Sequence, residues 1–139
     1  MARTERDEPD ARLWIKIDLG ARGQIGPGKI ALLKAVASEG SISGAARAMG
    51  MSYRRAWLLI DALNKTCGQP VVDTRIGGPD RGGAAITALG RELVAIFDGV
   101  HAQAQQAAGS RLRELLGLMP APEGEGPSDG AQSAAVEKP

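Results

Sequence analysis

Residues 12–19, RLWIKIDL, alternate strictly. Leu13, Ile15, Ile17 and Leu19 share one face; Arg12, Trp14, Lys16 and Asp18 share the other. A period of two predicts a strand with one buried face, ended by Gly20 and Gly23. The period then changes. Pro27 suits the first turn of a helix, where its missing N–H costs nothing. Ile30, Leu33, Val36 and Ala37 form a helical stripe, and Gly40 fits the position just past a helix end. This predicts a first helix over 28–39. A short second helix follows over 43–49, capped by Ser41 or Ser43, with Ala45, Ala46 and Met49 inward. Gly50 makes a tight turn, and Ser52 caps a third helix over 53–66. At about 100° per residue, Tyr53, Ala56, Trp57, Ile60, Asn64 and Cys67 cluster on one side of it, with Leu63 at the edge. That side is expected to be core, Tyr53 and Trp57 included. Arg54, Arg55, Leu58, Ala62 and Lys65 lie opposite.

Residues 71–76 (VVDTRI) and 84–87 (AAIT) read as short strands. The GGPDRGG between them forbids a helix and favours a hairpin. Thr87 can cap a long helix reaching about residue 116. Its stripe is Leu89, Leu93, Ile96, Phe97, Val100, Ala104, Ala107 or Ala108, Leu112, Leu115 and Leu116. From Pro120 on, the composition turns to Pro, Gly, Ala, Ser and acid, which cannot bury enough apolar surface to offset ordering entropy. Four segments are therefore expected: a flexible tail over 1–11, a winged helix-turn-helix over 12–88, a dimerisation helix over 89–117, and a disordered acidic tail over 118–139. The fold class is mainly α with a small β wing. Two helices joined by a short Gly-containing turn, followed by a hairpin, make up a winged helix-turn-helix.

Charge sharpens this picture. The net charge of +1 hides a separation. Residues 11–100 hold twelve basic and seven acidic side chains, whereas residues 1–10 and 120–139 are net acidic. A basic body suits a polyanion partner, although such an excess is common on solvated surfaces. One Cys and one His exclude an internal disulfide and a four-ligand Cys/His zinc site within the chain. No cofactor is expected. There is no apolar run of membrane length, and MARTERDEPD lacks the core of a secretory signal. The location expected is cytoplasmic, or nucleoid-associated if the source is bacterial.

The third helix carries the functional signal. A helix entering a major groove must bury one face and show cations on the other. Arg54 and Arg55 sit in its first turn, with Lys65 further along the same outward side. A helix dipole prefers anions in a first turn, so two arginines there work against the isolated helix. Beside this stands the plainer reading, that adjacent arginines are solvated surface.

Residues 40–67, GSISGAARAMGMSYRRAWLLIDALNKTC, and the wing RIGGPDRGGAAITALG over 75–90 resemble the DNA-binding domain of ModE-type molybdate-responsive transcription regulators. The helix-turn-helix also resembles LysR-type regulators, more loosely. The resemblance covers roughly residues 13–100. It implies a homodimeric regulator bound to a pseudo-palindromic site in double-stranded DNA. It places DNA contacts at Ser41, Ser43, Ser52, Tyr53, Arg54 and Arg55, and at Arg75, Arg81, Gly82 and Gly83 of the wing. The apolar stripe argues independently for a dimer interface of Leu89, Leu93, Ile96, Phe97, Val100, Ala104, Leu112 and Leu115. Full-length members of that family carry oxyanion-binding domains that this sequence does not match. Molybdate sensing is thus not expected of the chain; a stand-alone DNA-binding form is, either constitutive or controlled by a separate signal-sensing partner.

Rival readings remain. Gly23-Gln-Ile-Gly-Pro-Gly28-Lys29 fits the G-x-x-x-x-G-K core of a phosphate-binding loop, after a strand and before a helix. Against it, Ile30 stands where that motif needs Ser or Thr, and WLLID over 57–61 lies in a helix. A winged helix used for protein or RNA binding would need exposed apolar side chains, for which Leu58, Leu59 and Trp14 qualify. His101, on the long helix, reads as solvated or interfacial. Cys67 reads as a small buried hydrophobe, with a redox sensor as the alternative. No nucleophile pairs with either, and no enzyme activity is expected.

Overall fold

A computed structural model describes residues 11–75 and 82–122 of the chain. Leu13–Gln106 form one compact unit, and the chain from Ala107 onward belongs to a second, together with Ala11 and Arg12. The tails expected at 1–11 and 118–139 lie largely outside the described residues, as do Ile76–Arg81 of the wing.

The predicted N-terminal strand is a short hairpin. β1 (Ile17–Asp18) pairs antiparallel with β2 (Gln24–Ile25), opposing Ile17 to Ile25 and Asp18 to Gln24. A single 3-10 turn, Gly20–Arg22, joins them. The alternation expected over 12–19 survives in burial as far as Asp18, with Leu13, Ile15 and Ile17 half-buried and their neighbours exposed. The ladder does not extend with it. The Leu13 N–H donates instead to Gln105 Oε1 at 2.8 Å, and its carbonyl lies 2.9 Å from His101 Nε2. His101, expected to be solvated or interfacial, is thus half-buried against the backbone of Leu13. Gly23 has a φ of 118°, and a Cβ there would meet Thr66 Oγ1 at 2.7 Å. The hairpin therefore rests directly on the third helix.

Three helices follow. α1 runs Pro27–Glu39, α2 Ile42–Met49 and α3 Tyr53–Cys67. Their ends have visible causes. Pro27 opens α1 in its first turn. The Ser41 hydroxyl accepts from the Gly44 N–H, so Ser41 rather than Ser43 caps α2. The Ser52 hydroxyl accepts from the Arg55 N–H and caps α3. Gly40, Gly50 and Gly68 end the three helices in the left-handed conformation.

The core gathers Ile30, Leu32, Leu33 and Val36 of α1, Ile42, Ala45 and Ala46 of α2, and Ala56, Ile60 and Leu63 of α3. Val71, Ala84 and Phe97 close it. Each large aliphatic side chain removed from water contributes about 1.5–3 kcal/mol. The stripe expected on α1 omits Leu32, which is fully buried, and includes Ala37, which is exposed.

The wing is an antiparallel pair, β3 (Val72–Asp73) and β4 (Ala85–Ile86), with Val72 opposite Ile86. It is pinned at its base. Asn64 Oδ1 accepts from the Val71 N–H at 2.8 Å, and the Ala84 N–H donates to the Gly40 carbonyl at 2.9 Å. Thr87 acts in two directions: its hydroxyl donates to the Pro70 carbonyl and accepts from the Gly90 N–H. That caps α4, which runs Ala88–Gly117. The architecture is a winged helix-turn-helix, mainly helical, with a long C-terminal helix.

Candidate nucleic-acid interface

The second helix of the helix-turn-helix, α3, buries Ala56, Ile60, Leu63 and Thr66. Leu63 sits in the middle of this arc, not at its edge. The buried face is rotated by roughly 60° from the expected one, at about 100° per residue. Two side chains expected in the core are consequently outside it: Tyr53 is 56% exposed and Trp57 45%. Leu58 is 48% exposed beside them. Arg54 and Arg55 are exposed, as expected, and among the described residues neither guanidinium has an ion-pair or hydrogen-bond partner. The outward side of α3 therefore presents two unengaged cations in its first turn, flanked by large apolar side chains.

The other predicted contact residues fall in different places. Ser41 and Ser52 hold their helix caps, and Ser43 is exposed in the first turn of α2. Lys65 lies at the far end of α3, tied to Asp61 at 3.0 Å. Twelve positions past Tyr53, it lies about 18 Å along the helix axis from the start of α3. Arg75 is folded back on its own wing: its backbone N–H and its Nε both donate to Asp73 Oδ1. The guanidinium holds the Asp73 carboxyl below the usual carboxylate range, and Asp73 in turn raises the Arg75 value. Gly82 is exposed with a φ of 64°, and Gly83 is half-buried. Arg81 lies outside the described residues. The exposure of Tyr53 and Trp57 was not legible in the sequence; the aliphatic Ile60 and Leu63, three positions apart, were the sequence signal that places the core face.

On α4 the expected dimer residues divide. Phe97 is buried inside its own chain, so its burial needs no second copy. Leu89, Leu93, Ala104 and Leu112 are half-buried. Ile96, at 58% exposure, Val100 and Leu115 face outward.

The loop that resembles a phosphate-binding motif has a different architecture. Pro27 to Lys29 form the first turn of α1, Lys29 Nζ donates to the Gln24 carbonyl at 3.1 Å, and Ile30 is buried. Both sheets among the described residues are two-stranded and antiparallel. The parallel sheet that normally carries such a loop is not among them. Among the described residues no three or more of His, Cys, Asp and Glu gather as metal ligands, and no helix is long and apolar enough to cross a membrane. Cys67 is half-buried, and burial pushes its thiol up.

Residues 28–91 match the bacterial regulatory helix-turn-helix proteins of the lysR family. They are a LysR-type helix-turn-helix domain. The chain is 39% identical over 102 residues to the molybdenum-pterin-binding protein MopB of Rhodobacter capsulatus, covering 73% of this chain and 37% of that protein. It is 40% identical over 82 residues to the DNA-binding transcriptional dual regulator ModE of Escherichia coli K12, covering 59% of this chain and 31% of that protein. The chain thus spans about a third of the length of these relatives. A DNA complex of the CbnR DNA-binding domain superposes with a TM-score of 0.49 at 20% identity, over 64% of this chain and 95% of that one. The LysR-type domain takes in α1, α2, α3, the wing and the start of α4.

Proposed function

We propose that this chain is a sequence-specific, double-stranded-DNA-binding transcription regulator, with α3 as its recognition helix. The observation that carries the reading is the first turn of α3. Two arginines without an ion-pair or hydrogen-bond partner among the described residues stand there on a helix that locks another face into the core. A groove about 12 Å wide admits such a helix, and arginine pairs bidentately with guanine. The similarity to ModE, a regulator described as DNA-binding, supports it. In this reading Ser41, Ser43, Ser52 and Tyr53 contact the duplex beside the arginines. Lys65, Arg75, Arg81, Gly82 and Gly83 contact its backbone.

The regulator acts as a homodimer. Ile96 and Val100 lie exposed on the long helix, and Leu115 near its end, where a second copy would cover them. Its DNA binding is constitutive or controlled by a separate signal-sensing partner, and these residues do not themselves take molybdate. Calorimetry with sodium molybdate is expected to show no heat of binding.

The exposure of Tyr53, Trp57 and Leu58 favours a second reading, a surface for single-stranded RNA or for a protein. Competition separates the two. A labelled random duplex should be retained by the chain and displaced by unlabelled duplex far better than by single-stranded RNA of equal length. Displacement by RNA at equal or lower concentration would overturn the DNA reading.

A further inference from the structure

Beside the recognition helix lies an open groove of about 330 Å³, lined on one side by the helix-turn-helix and on the other by the segments that precede it. Trp14 and Lys16 come from the segment leading into β1, Lys29 from the first turn of α1, and Arg55 from the first turn of α3. Met51 and Leu59 complete its apolar wall. Three cations reach it from three separate segments, and no Asp or Glu lines it. Lys16 has no ion-pair or hydrogen-bond partner among the described residues. Lys29 spends one ammonium donor on the Gln24 carbonyl and keeps two. Trp14 stands 80% exposed at the rim, a cost in wet apolar surface that nothing in the core explains.

We propose that this groove is a second DNA-contacting site, which grips the sugar–phosphate backbone flanking the recognition helix. Lys16 and Lys29 hold phosphates, and the Trp14 indole packs on the adjoining sugar. The inference rests on the duplex-binding reading and deepens it. Arg55 joins the two surfaces, because it belongs both to the first turn of α3 and to the groove wall. A duplex seated on that turn brings one backbone alongside the groove. Half to two-thirds of protein–DNA hydrogen bonds go to phosphate and sugar, and they set the register of the recognition helix. The charge of the lining matches that role.

The test uses the full chain and a random-sequence 30-base-pair duplex, with affinity followed by fluorescence anisotropy at several salt concentrations. Removing one lysine–phosphate pair flattens the slope of log affinity against log salt by about 0.9. The double variant K16Q/K29Q is expected to flatten that slope by close to two, and K16R/K29R to restore most of it. Trp14 supplies an independent readout. In a W57F background it is the sole tryptophan, and adding duplex should quench or blue-shift its emission. A wild type that binds duplex, with an unchanged slope in K16Q/K29Q and unmoved Trp14 emission, overturns the groove and leaves the DNA reading standing. A Trp14 shift driven by inorganic phosphate alone, with the slope unchanged, makes this a small-anion site and also overturns it. Failure of the wild type to bind duplex at all removes the DNA reading itself.

Discussion

Gly90 and Gly99 occupy the same helix, yet the same substitution should move stability in opposite directions. Both lie within α4, and glycine in a helix interior costs about 1 kcal/mol relative to alanine. Gly99 is exposed, and a Cβ there would meet nothing within 4 Å. Gly99→Ala should therefore stabilise by about 0.5–1 kcal/mol. Gly90 is buried against the wing. A Cβ there would come to 2.5 Å from the Val71 carbonyl oxygen and 3.3 Å from Ile86 Cβ. That carbonyl also accepts the Thr87 N–H at 2.9 Å, so it cannot move aside without loosening the bond at the start of α4. Overpacking costs about 1–3 kcal/mol, and a weakened hydrogen bond about 1 more. After the helix gain is subtracted, Gly90→Ala should destabilise by about 1–3 kcal/mol. In a domain of this size each kcal/mol moves the melting temperature by about 4–8 °C. Thermal melts followed by circular dichroism at 222 nm, at one fixed protein concentration, read both variants. A Gly90→Ala protein melting at or above wild type would refute the packing of α4 on the wing.

Three further predictions follow from named contacts. Ser52→Ala should cost about 1 kcal/mol in urea denaturation, because the Arg55 N–H loses its acceptor at the start of α3. Ile96→Glu with Val100→Glu should leave the fold's circular dichroism intact and shift sedimentation equilibrium from dimer to monomer; an unchanged dimer would place the interface elsewhere. Asp73 has a folded-state value below its unfolded one, so its contribution is present above about pH 3.9 and is lost as pH falls through the lower folded value. Carboxyl chemical shifts should show Asp73 titrating below the ordinary range, and Arg75→Ala should bring it back.

Where the chain was legible, side chains acted on their own neighbours. Ser52, Gly40 and Gly50 act within one turn, so the helix ends read directly from the sequence. The wing hairpin was legible because GGPDRGG admits little else. The failures are long-range. The segment over 12–19 alternates like a strand, but most of its length pairs with no ladder, and Leu13 is bonded by Gln105 and His101 from far along the chain. β2 is two residues between glycines, too short for a period. On α3, the apolar character of Tyr53 and Trp57 points to the core, and packing overrides it. The small Ala56 and the aliphatic Ile60 and Leu63 fill the space under the helix, and the aromatics remain at its rim. For the candidate site, the arginines and the helix that carries them were legible. The folding of Arg75 onto Asp73 and the grouping of Lys16, Lys29 and Arg55 were not, since neither leaves a periodic trace.

The central claim is that the first turn of α3 reads base sequence as a pair related by twofold symmetry. Selection from a pool of random duplexes tests it most directly, run in parallel with wild type and with Arg54→Ala/Arg55→Ala. Wild type should enrich two inverted half-sites with centres one helical turn, about 34 Å, or a multiple apart. The variant should keep its fold and lose that enrichment, each base-reading arginine being worth about 1–3 kcal/mol. Equal enrichment of the same sequence by both proteins, or no enrichment by wild type, would contradict the account.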